Sequence, residues 1–412
     1  MQRVSPPFAP PDKTGPENAA KEMRAELLLL LAVLAAHTVS GLVSVSRLGL
    51  RRGPLARSDS EQGVQVQRRQ RQRQGLRAGS DLDKQWDKYF EQVSSTEKYQ
   101  VIAAPEMETL AQQIAEAYPE RFKVWPTSWK KFPDGTDNIE IGGFHPQNRI
   151  SGENVLMLAS FHNNDVTLSQ FSVMITLLQS FIKTFTVVLP FSPVGTMERV
   201  TTEGQVATAN TYAQLFSNLP SCGKPTRLIT YDLHTLQNRF YLHGNAIASL
   251  QTSIPLLIKR IKEEGKIDCI AFPDDGAAKR FGAMFKGMGF EIVTCGKTRD
   301  GDKRVVTIQD GSCSGKNVVI VDDLVQTGGT LYECGVALLK GGASTVSCFV
   351  AHGVFPAESW RRFMKGGDRG CFDKFFLTDS IPSITKNLPK NDVFEVLPLA
   401  EIIIEDLDKY SR

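Results

Sequence analysis

One stretch constrains this chain more than any other: Val318-Val319-Ile320-Val321-Asp322-Asp323-Leu324-Val325-Gln326-Thr327-Gly328-Gly329-Thr330. Its four apolar, mostly β-branched residues read as a buried strand of a parallel sheet. Two carboxylates follow, then a Thr-Gly-Gly-Thr turn, and the spacing predicts a helix over Leu331–Leu339. In open α/β sheets, ligands bind beyond the carboxyl ends of the strands. Paired glycines there let backbone N–H groups converge on a phosphate at a helix N-terminus. Flanking threonine hydroxyls add donors, and adjacent aspartates suit the vicinal hydroxyls of a sugar. The segment asks for a phosphorylated sugar; a strand followed by an acidic turn is the bland alternative.

The rest of the chain repeats the pattern. Apolar runs at Val155–Ala159, Phe185–Leu189, Leu228–Tyr231, Cys269–Phe272 and Val346–Ala351 each end in polar, Gly or Pro punctuation. Helical periods lie between them, as at Thr167–Phe181 and Ile254–Glu264. Strands alternating with helices imply βαβ units and parallel sheets. With 412 residues there is room for two domains, and there are too many strands for one ordinary sheet. The expected fold class is α/β, two similar domains with parallel sheets flanked by helices, preceded by a targeting or disordered tail. The expected boundaries are 1–80 for the tail, 97–252 for an N-terminal domain with 392–412 packing back onto it, and 253–391 for a C-terminal domain.

The net charge of +3 hides an asymmetry. Residues 1–80 hold 13 Lys and Arg against 6 Asp and Glu, while the remainder holds 35 against 39. The body is mildly acidic, which gives no support to nucleic-acid binding. Within the tail, Leu27–Ala36 is apolar but too short to span a bilayer comfortably, so no stable membrane association is expected. An Arg-, Ser- and Gln-rich, acid-poor stretch follows it. That order resembles a signal-plus-transit presequence and points to a plastid; a disordered basic arm, a misassigned start and a cytoplasmic protein are the alternatives. All seven cysteines lie beyond the tail with no CxxC spacing, against a zinc site. Cys269 and Cys348 read as small core residues, in keeping with a reducing compartment.

Several segments together resemble one family over about Lys98–Leu407. The stretch around Asp322 is similar to the phosphoribosyl-pyrophosphate (PRPP) loop shared by type I phosphoribosyltransferases and ribose-phosphate pyrophosphokinases. Asp232-Leu233-His234-Thr235-Leu236-Gln237 resembles the Asp-Leu-His-x-x-Gln signature of the pyrophosphokinases, also called PRPP synthetases. Pro273-Asp274-Asp275-Gly276-Ala277 resembles their pyrophosphate loop, Gly296-Lys297-Thr298-Arg299 their flexible-loop cations, and Lys131-Phe132-Pro133-Asp134-Gly135 their nucleotide-contacting Phe-x-Asp-Gly. His352-Gly353-Val354-Phe355 recurs after the last long strand. Pro190–Val200 and Glu203–Ala209 are similar to the plant-type class II branch. Class I enzymes carry an Arg-Gln pair where this chain has Thr196 and Met197, and a glutamate at Thr136.

The resemblance implies transfer of the pyrophosphoryl group of MgATP to the C1 hydroxyl of ribose 5-phosphate, giving PRPP and AMP. It implies that Asp322 and Asp323 hold the ribose hydroxyls, with Gln326, Thr327, Gly328, Gly329 and Thr330 around the 5-phosphate. Asp274, Asp275, Gly276 and Ala277 would line the pyrophosphate loop, and Lys297 and Arg299 would be catalytic. Phe132, Asp134 and Arg199 would contact ATP. His234 and Asp274 are candidate Mg²⁺ ligands; Asp232 is a third, with capping or orienting as its alternative role. In the family the Phe-x-Asp-Gly segment comes from a neighbouring subunit, which implies at least a homodimer. The rival functions are a non-catalytic synthetase-associated subunit and a type I phosphoribosyltransferase.

Overall fold

The computed structural model describes residues 95–300 and 303–409, with side chains at all of these except 298–300 and 303–305. The basic tail, and with it the presequence expectation, lies outside the described residues. The first half of the body is β1 (Tyr99–Ala103), α1 (Glu108–Ala117), β2 (Phe122–Val124), β3 (Thr127–Lys131), β4 (Asp137–Ile141), β5 (Asn154–Leu158), α2 (Asn164–Leu178), β6 (Thr184–Val188), α3 (Thr208–Ser217), β7 (Thr226–Tyr231) and β8 (Ala246–Gln251). The second half is α4 (Ile254–Glu264), β9 (Cys269–Phe272), α5 (Asp275–Phe285), β10 (Glu291–Asp300), β11 (Lys303–Asp310), β12 (Asn317–Val325), α6 (Gly329–Lys340), β13 (Thr345–Gly353), β14 (Phe375–Thr378), α7 (Pro382–Thr385), β15 (Phe394–Leu397) and α8 (Ala400–Asp408).

The two lobes share one plan. The first sheet runs β2-β1-β5-β6-β7-β8, all parallel; the second runs β10-β9-β12-β13-β14-β15 in parallel, with β11 added antiparallel beside β10. Each has its second strand outside its first, and the rest follow in order. Each also carries an antiparallel ribbon at that second strand: the β3–β4 hairpin follows β2 in the first lobe, and β10 itself runs on to pair with β11 in the second. The fold is α/β with parallel sheets flanked by helices.

Between the sheets lies a shared core that includes Leu110 and Ile114 of α1, Leu257 of α4, Phe281 of α5 and Ile403 of α8. The outer faces carry separate cores, one under α2 and α3 and one under α6. The expectation that residues 392–412 pack back as one piece needs correction. β15 pairs with β14 in the second sheet, and only the helix after it reaches the first lobe. There Arg121 meets Asp408 in a buried ion pair and the Tyr231 hydroxyl donates to Asp406 at 2.9 Å. Ile402, Ile403, Ile404 and Leu407 of α8 are buried. At roughly 1.5–3 kcal/mol each, that burial outweighs what one ion pair contributes and fixes where the chain ends up.

Candidate active site

The strand that carries the aspartates runs past its apolar stretch, through Val325. β13 keeps pairing with β12 as far as Val325↔Gly353, whereas β9 stops at Ile320↔Ala271. From Val321 onward one side of β12 therefore has no strand beside it, the crevice in which open α/β sheets bind ligands. α6 follows from Gly329, with Gly328 as its N-cap at φ 69° and no capping side chain. A Cβ at Gly328 would overlap the Phe363 ring, so the position demands glycine on two counts. The first N–H groups of a helix have no intrahelical partner, and here no side chain competes with an anion for them.

The two aspartates are not equivalent, as the sequence reading had made them. Asp322 accepts the Asp323 N–H at 2.9 Å, and burial, then the neighbouring Asp323 charge, pushes its carboxyl up to about 8. Asp323 is the more buried by surface, and burial alone would raise it too. His234 Nδ1–H at 2.7 Å and Arg280 at 3.0 Å outweigh that and hold its carboxyl below the usual range. The same hydrogen bond raises the His234 imidazole above its ordinary value. Asp323 also accepts from Leu324 N at 2.7 Å, so three donors already engage it while Asp322 keeps more capacity.

Lys297 reaches from β10 to the start of α6, its Nζ donating to Thr330 Oγ1 at 2.9 Å. Arg299 pairs with Arg304 in the β10–β11 register, but its side chain lies outside the described residues. Gln326 lines a cleft of 290 Å³ at the carboxyl ends of both sheets, along with Ser160, Phe191, Thr196, His234 and Ser380. Phe132 and Asp134 do not line that cleft. Phe132 is 49% exposed at the tip of the β3–β4 hairpin, and Asp134 closes that turn by accepting from Thr136 N and Oγ1 at 3.0 and 2.6 Å. Arg199 is largely exposed and donates to Glu198 at 2.9 Å.

The metal set needs correction at Asp232. Its carboxylate is buried and accepts from Thr252 Oγ1 and Ser253 N, both at 2.7 Å, and from Ser253 Oγ. It anchors the entry to α4 and is no metal ligand. Among the described residues no three His, Cys, Asp or Glu side chains gather into a metal cage. What remains is the second nitrogen of His234 and the carboxylate of Asp274. Asp274 is itself the N-cap of α5, accepting from Ala277 N at 2.9 Å, so the Asp274–Ala277 loop is not an open anion cradle. Few protein ligands fit Mg²⁺, which keeps waters and takes phosphate oxygens from its nucleotide.

With this geometry in view, the comparisons with known proteins become decisive. The Phosphoribosyl transferase domain family matches residues 245–364. Ribose-phosphate pyrophosphokinase 4 of Oryza sativa subsp. japonica is 44% identical over 73% of this chain and 93% of its own. The chain belongs to the ribose-phosphate pyrophosphokinase family. Ribose-phosphate pyrophosphokinase 3, chloroplastic, of Arabidopsis thaliana is 42% identical over 76% of each chain, which fits the plant-type branch. A crystal structure of phosphoribosylpyrophosphate synthetase from Mycobacterium smegmatis shares the fold, with a TM-score of 0.62 at 22% identity over 76% of this chain and 98% of that one.

Set against that family, the sequence reading missed three groups. Arg280 bridges Asp323 and the His234 carbonyl, at 3.0 and 3.3 Å, across 43 and 46 residues. His352 is buried and joins the lobes, its Nε2–H donating to the Tyr231 carbonyl at 3.0 Å and its Nδ1 meeting Ser380 Oγ at 2.9 Å. Burial lowers its pKa and keeps it neutral. Glu198 is buried beside Thr235 and Arg199. His352 stood within a quoted motif and Arg280 three residues beyond one, but nothing local marked either as a partner of a residue in the other lobe.

Proposed function

We propose that this chain forms PRPP and AMP from ribose 5-phosphate and MgATP. The observation that carries the reading is Lys297 Nζ, 2.9 Å from Thr330 at an uncapped helix N-terminus that follows two aspartates. A cation and open N–H groups suit a phosphate, and the carboxylates suit a sugar diol. The C1 hydroxyl oxygen attacks the β-phosphorus of ATP; the new C1–O–Pβ bond forms as the bond from Pβ to the α,β-bridging oxygen breaks. AMP leaves with that oxygen, and the hydroxyl proton passes to solvent.

Such transfer needs positioning and charge neutralisation more than covalent help. Asp322 takes the larger share of the ribose hydroxyls, because Asp323 is already engaged by His234 and Arg280. Thr327–Thr330 hold the 5-phosphate, and Lys297 with Arg299 stabilises charge on the transferring group. Asp274–Ala277 border the pyrophosphate, and a bound cation would offset the charge of Asp274 and Asp275 there. Mg²⁺, when bound, neutralises phosphate charge; His234 and Asp274 would hold it together with the nucleotide. Phe132 stacks on adenine, and Asp134 and Arg199 stand nearby. The exposure of Phe132 at a hairpin tip outside the cleft suits the family resemblance, in which this segment serves a neighbouring subunit's nucleotide, and on that resemblance the working form is at least a homodimer. Light scattering of the purified chain should give a mass of two or more protomers, and a monomer would contradict this.

The full chain, incubated with ATP, Mg²⁺ and ribose 5-phosphate, should release PRPP and AMP in equal amounts. Absence of AMP across a range of metal and phosphate concentrations would overturn the proposal. The tail reading carries a plastid destination, supported by the order of apolar and basic segments and by the chloroplastic Arabidopsis relative. Met1–Ser80 fused to a fluorescent reporter should enter plastids; a mitochondrial or cytosolic signal would refute it.

A further inference from the structure

Three groups of the second lobe grip one short segment of the first. His352, near the end of β13, donates from Nε2 to the Tyr231 carbonyl at 3.0 Å, and Arg280 donates to the His234 carbonyl at 3.3 Å. Asp323 meets His234 Nδ1 at 2.7 Å. Between these held points lies Asp232, whose backbone has φ 40°. An L-residue with a side chain enters that left-handed region at a cost, and such a conformation persists where its surroundings over-determine it. They do so here. Asp232 N donates to the Gln251 carbonyl at 2.9 Å, and its carboxylate accepts from Thr252 Oγ1 and Ser253 N, both at 2.7 Å. The Tyr231 carbonyl and the Asp232 N–H belong to one planar peptide. Bonds from His352 on one side and to Gln251 on the other fix that plane, and with it the turn after which Leu233 is buried and His234 opens onto the cleft.

Both nitrogens of His352 are committed. Ser380 Oγ stands 2.9 Å from Nδ1 and 3.2 Å from the Ala351 carbonyl, which already accepts from Thr378 Oγ1 at 2.6 Å. With that carbonyl served by the shorter bond, the Ser380 proton goes to the imidazole. A neutral ring that accepts at Nδ1 carries its own proton on Nε2, the tautomer that the Tyr231 carbonyl requires. The Phe191 ring packs against the imidazole at 5.0 Å between centroids. At 2% exposure and with neither nitrogen free, His352 borders the cleft but has no group to offer a substrate.

We propose that His352 is a positioning residue for the transfer reaction, acting through the Tyr231–Asp232 peptide to aim His234 into the cleft. Its catalytic consequence rests on the reading of His234 as a ligand of the nucleotide's Mg²⁺. In the β12–β13 ladder His352 is the partner of Leu324, the residue after Asp323. The strand that carries the sugar-binding aspartates and the turn that carries His234 are thereby held in one frame, across 121 residues and two lobes.

The test compares His352→Leu, which removes the donor, with His352→Gln, whose side-chain amide places a donor where Nε2–H stands. In hydrogen–deuterium exchange of the ligand-free full-length chain, residues 231–236 should exchange about tenfold faster in His352→Leu, while β5 keeps its wild-type rate. His352→Gln should restore the wild-type rate at 231–236. By steady-state kinetics kcat should fall about tenfold to a hundredfold in His352→Leu, the cost of a misplaced group, and recover in His352→Gln. Calorimetric titration should leave the Kd for ribose 5-phosphate within about twofold of wild type in both variants. Wild-type exchange at 231–236 in a folded His352→Leu would overturn the proposal. Exchange accelerated equally throughout the first lobe, or a kcat loss that His352→Gln does not relieve, would make His352 a packing residue and overturn it too. Should His352→Leu not fold, Ser380→Ala carries the test: exchange at 231–236 should rise about threefold, and an unmoved rate would overturn the proposal. Failure of the wild type to make AMP would sink the proposed reaction yet leave the exchange comparison standing.

Discussion

The two lobes reach the same point in the same topology and finish it differently. After β5 the first lobe enters α2, and after β12 the second enters α6, each strand being third in its sheet's parallel run. In the first lobe the junction satisfies itself. Asn163 caps α2 by accepting from Val166 N at 2.9 Å, and the Gln170 side chain bonds both the N–H and the carbonyl of Ser160, at 3.0 and 2.6 Å. In the second lobe Gly328 stands where Asn163 does, with no side-chain cap. The ribbons follow suit. Lys131, at the end of β3, reaches the second residue of α2 and finds a carboxylate, Asp165, at 2.9 Å. Lys297, on β10, reaches the second residue of α6 and there, among the described residues, meets the Thr330 hydroxyl and no carboxylate. One lobe closes its helix start and neutralises its lysine; the other leaves both for a ligand. Topology sets where a site can form, and caps and counter-ions decide whether it does.

The largest expected effect breaks the lysine half of that comparison. Lys297→Ala should lower kcat by roughly 10²–10³ with little change in ribose 5-phosphate affinity, because its charge acts where negative charge develops. Lys131→Ala, which removes an exposed cation already held by Asp137 and Asp165, should leave kcat within about threefold of wild type. Steady-state kinetics of the two variants side by side decide it, and a change confined to KM in Lys297→Ala would contradict the assignment.

Next in size come the helix starts. Gly328→Ala forces a side chain onto a left-handed backbone and into Phe363, and should cost about 2–4 kcal/mol in denaturant unfolding while abolishing measurable ribose 5-phosphate binding. Asn163→Ala should cost about 1 kcal/mol, the ordinary loss of an N-cap, and leave that binding untouched. If Asn163→Ala weakened sugar binding as much as Gly328→Ala did, the division between a closed and an open junction would be wrong.

The smallest effect concerns the bridge between the lobes. The Asp323 hydrogen bond raises His234, so its imidazole should titrate above the free-histidine range in proton NMR, and the midpoint should fall in Asp323→Asn. The linkage has a sign: the bond stabilises the fold fully below the unfolded pKa near 6.5 and is lost as pH rises through the raised folded value. An unmoved midpoint in the variant would show that the bond does not set the charge of His234.

Much of this was legible in the chain itself, and the exceptions have physical causes. Cys269–Phe272 and Ile254–Glu264 form with the bounds that their apolar pattern predicts, because burial on one face dictates them locally. β12 outran its apolar run since its length depends on β13, a partner that begins 28 residues later. Phe394–Leu407 divided between two sheets' territories for the same reason: pairing of β15 with β14 competes with burial of α8. For Asp232 the sequence left capping and metal binding both open, because the partners that decide it, Thr252 and Ser253, lie 20 and 21 residues on. Charges that meet across 89 residues, as His234 and Asp323 do, leave no periodic trace at either end.

The central claim is that sugar phosphate and nucleotide are held by different parts of the molecule, the first by the open junction of the second lobe. Calorimetric titration of the Asp322→Ala variant with ribose 5-phosphate and, separately, with MgATP tests it most directly. Losing that group should weaken ribose 5-phosphate binding about fivefold to a hundredfold, the cost of leaving a buried sugar hydroxyl unpaired, and leave MgATP affinity at the wild-type value. An equal fall in both affinities would make Asp322 a metal or nucleotide ligand and contradict the division.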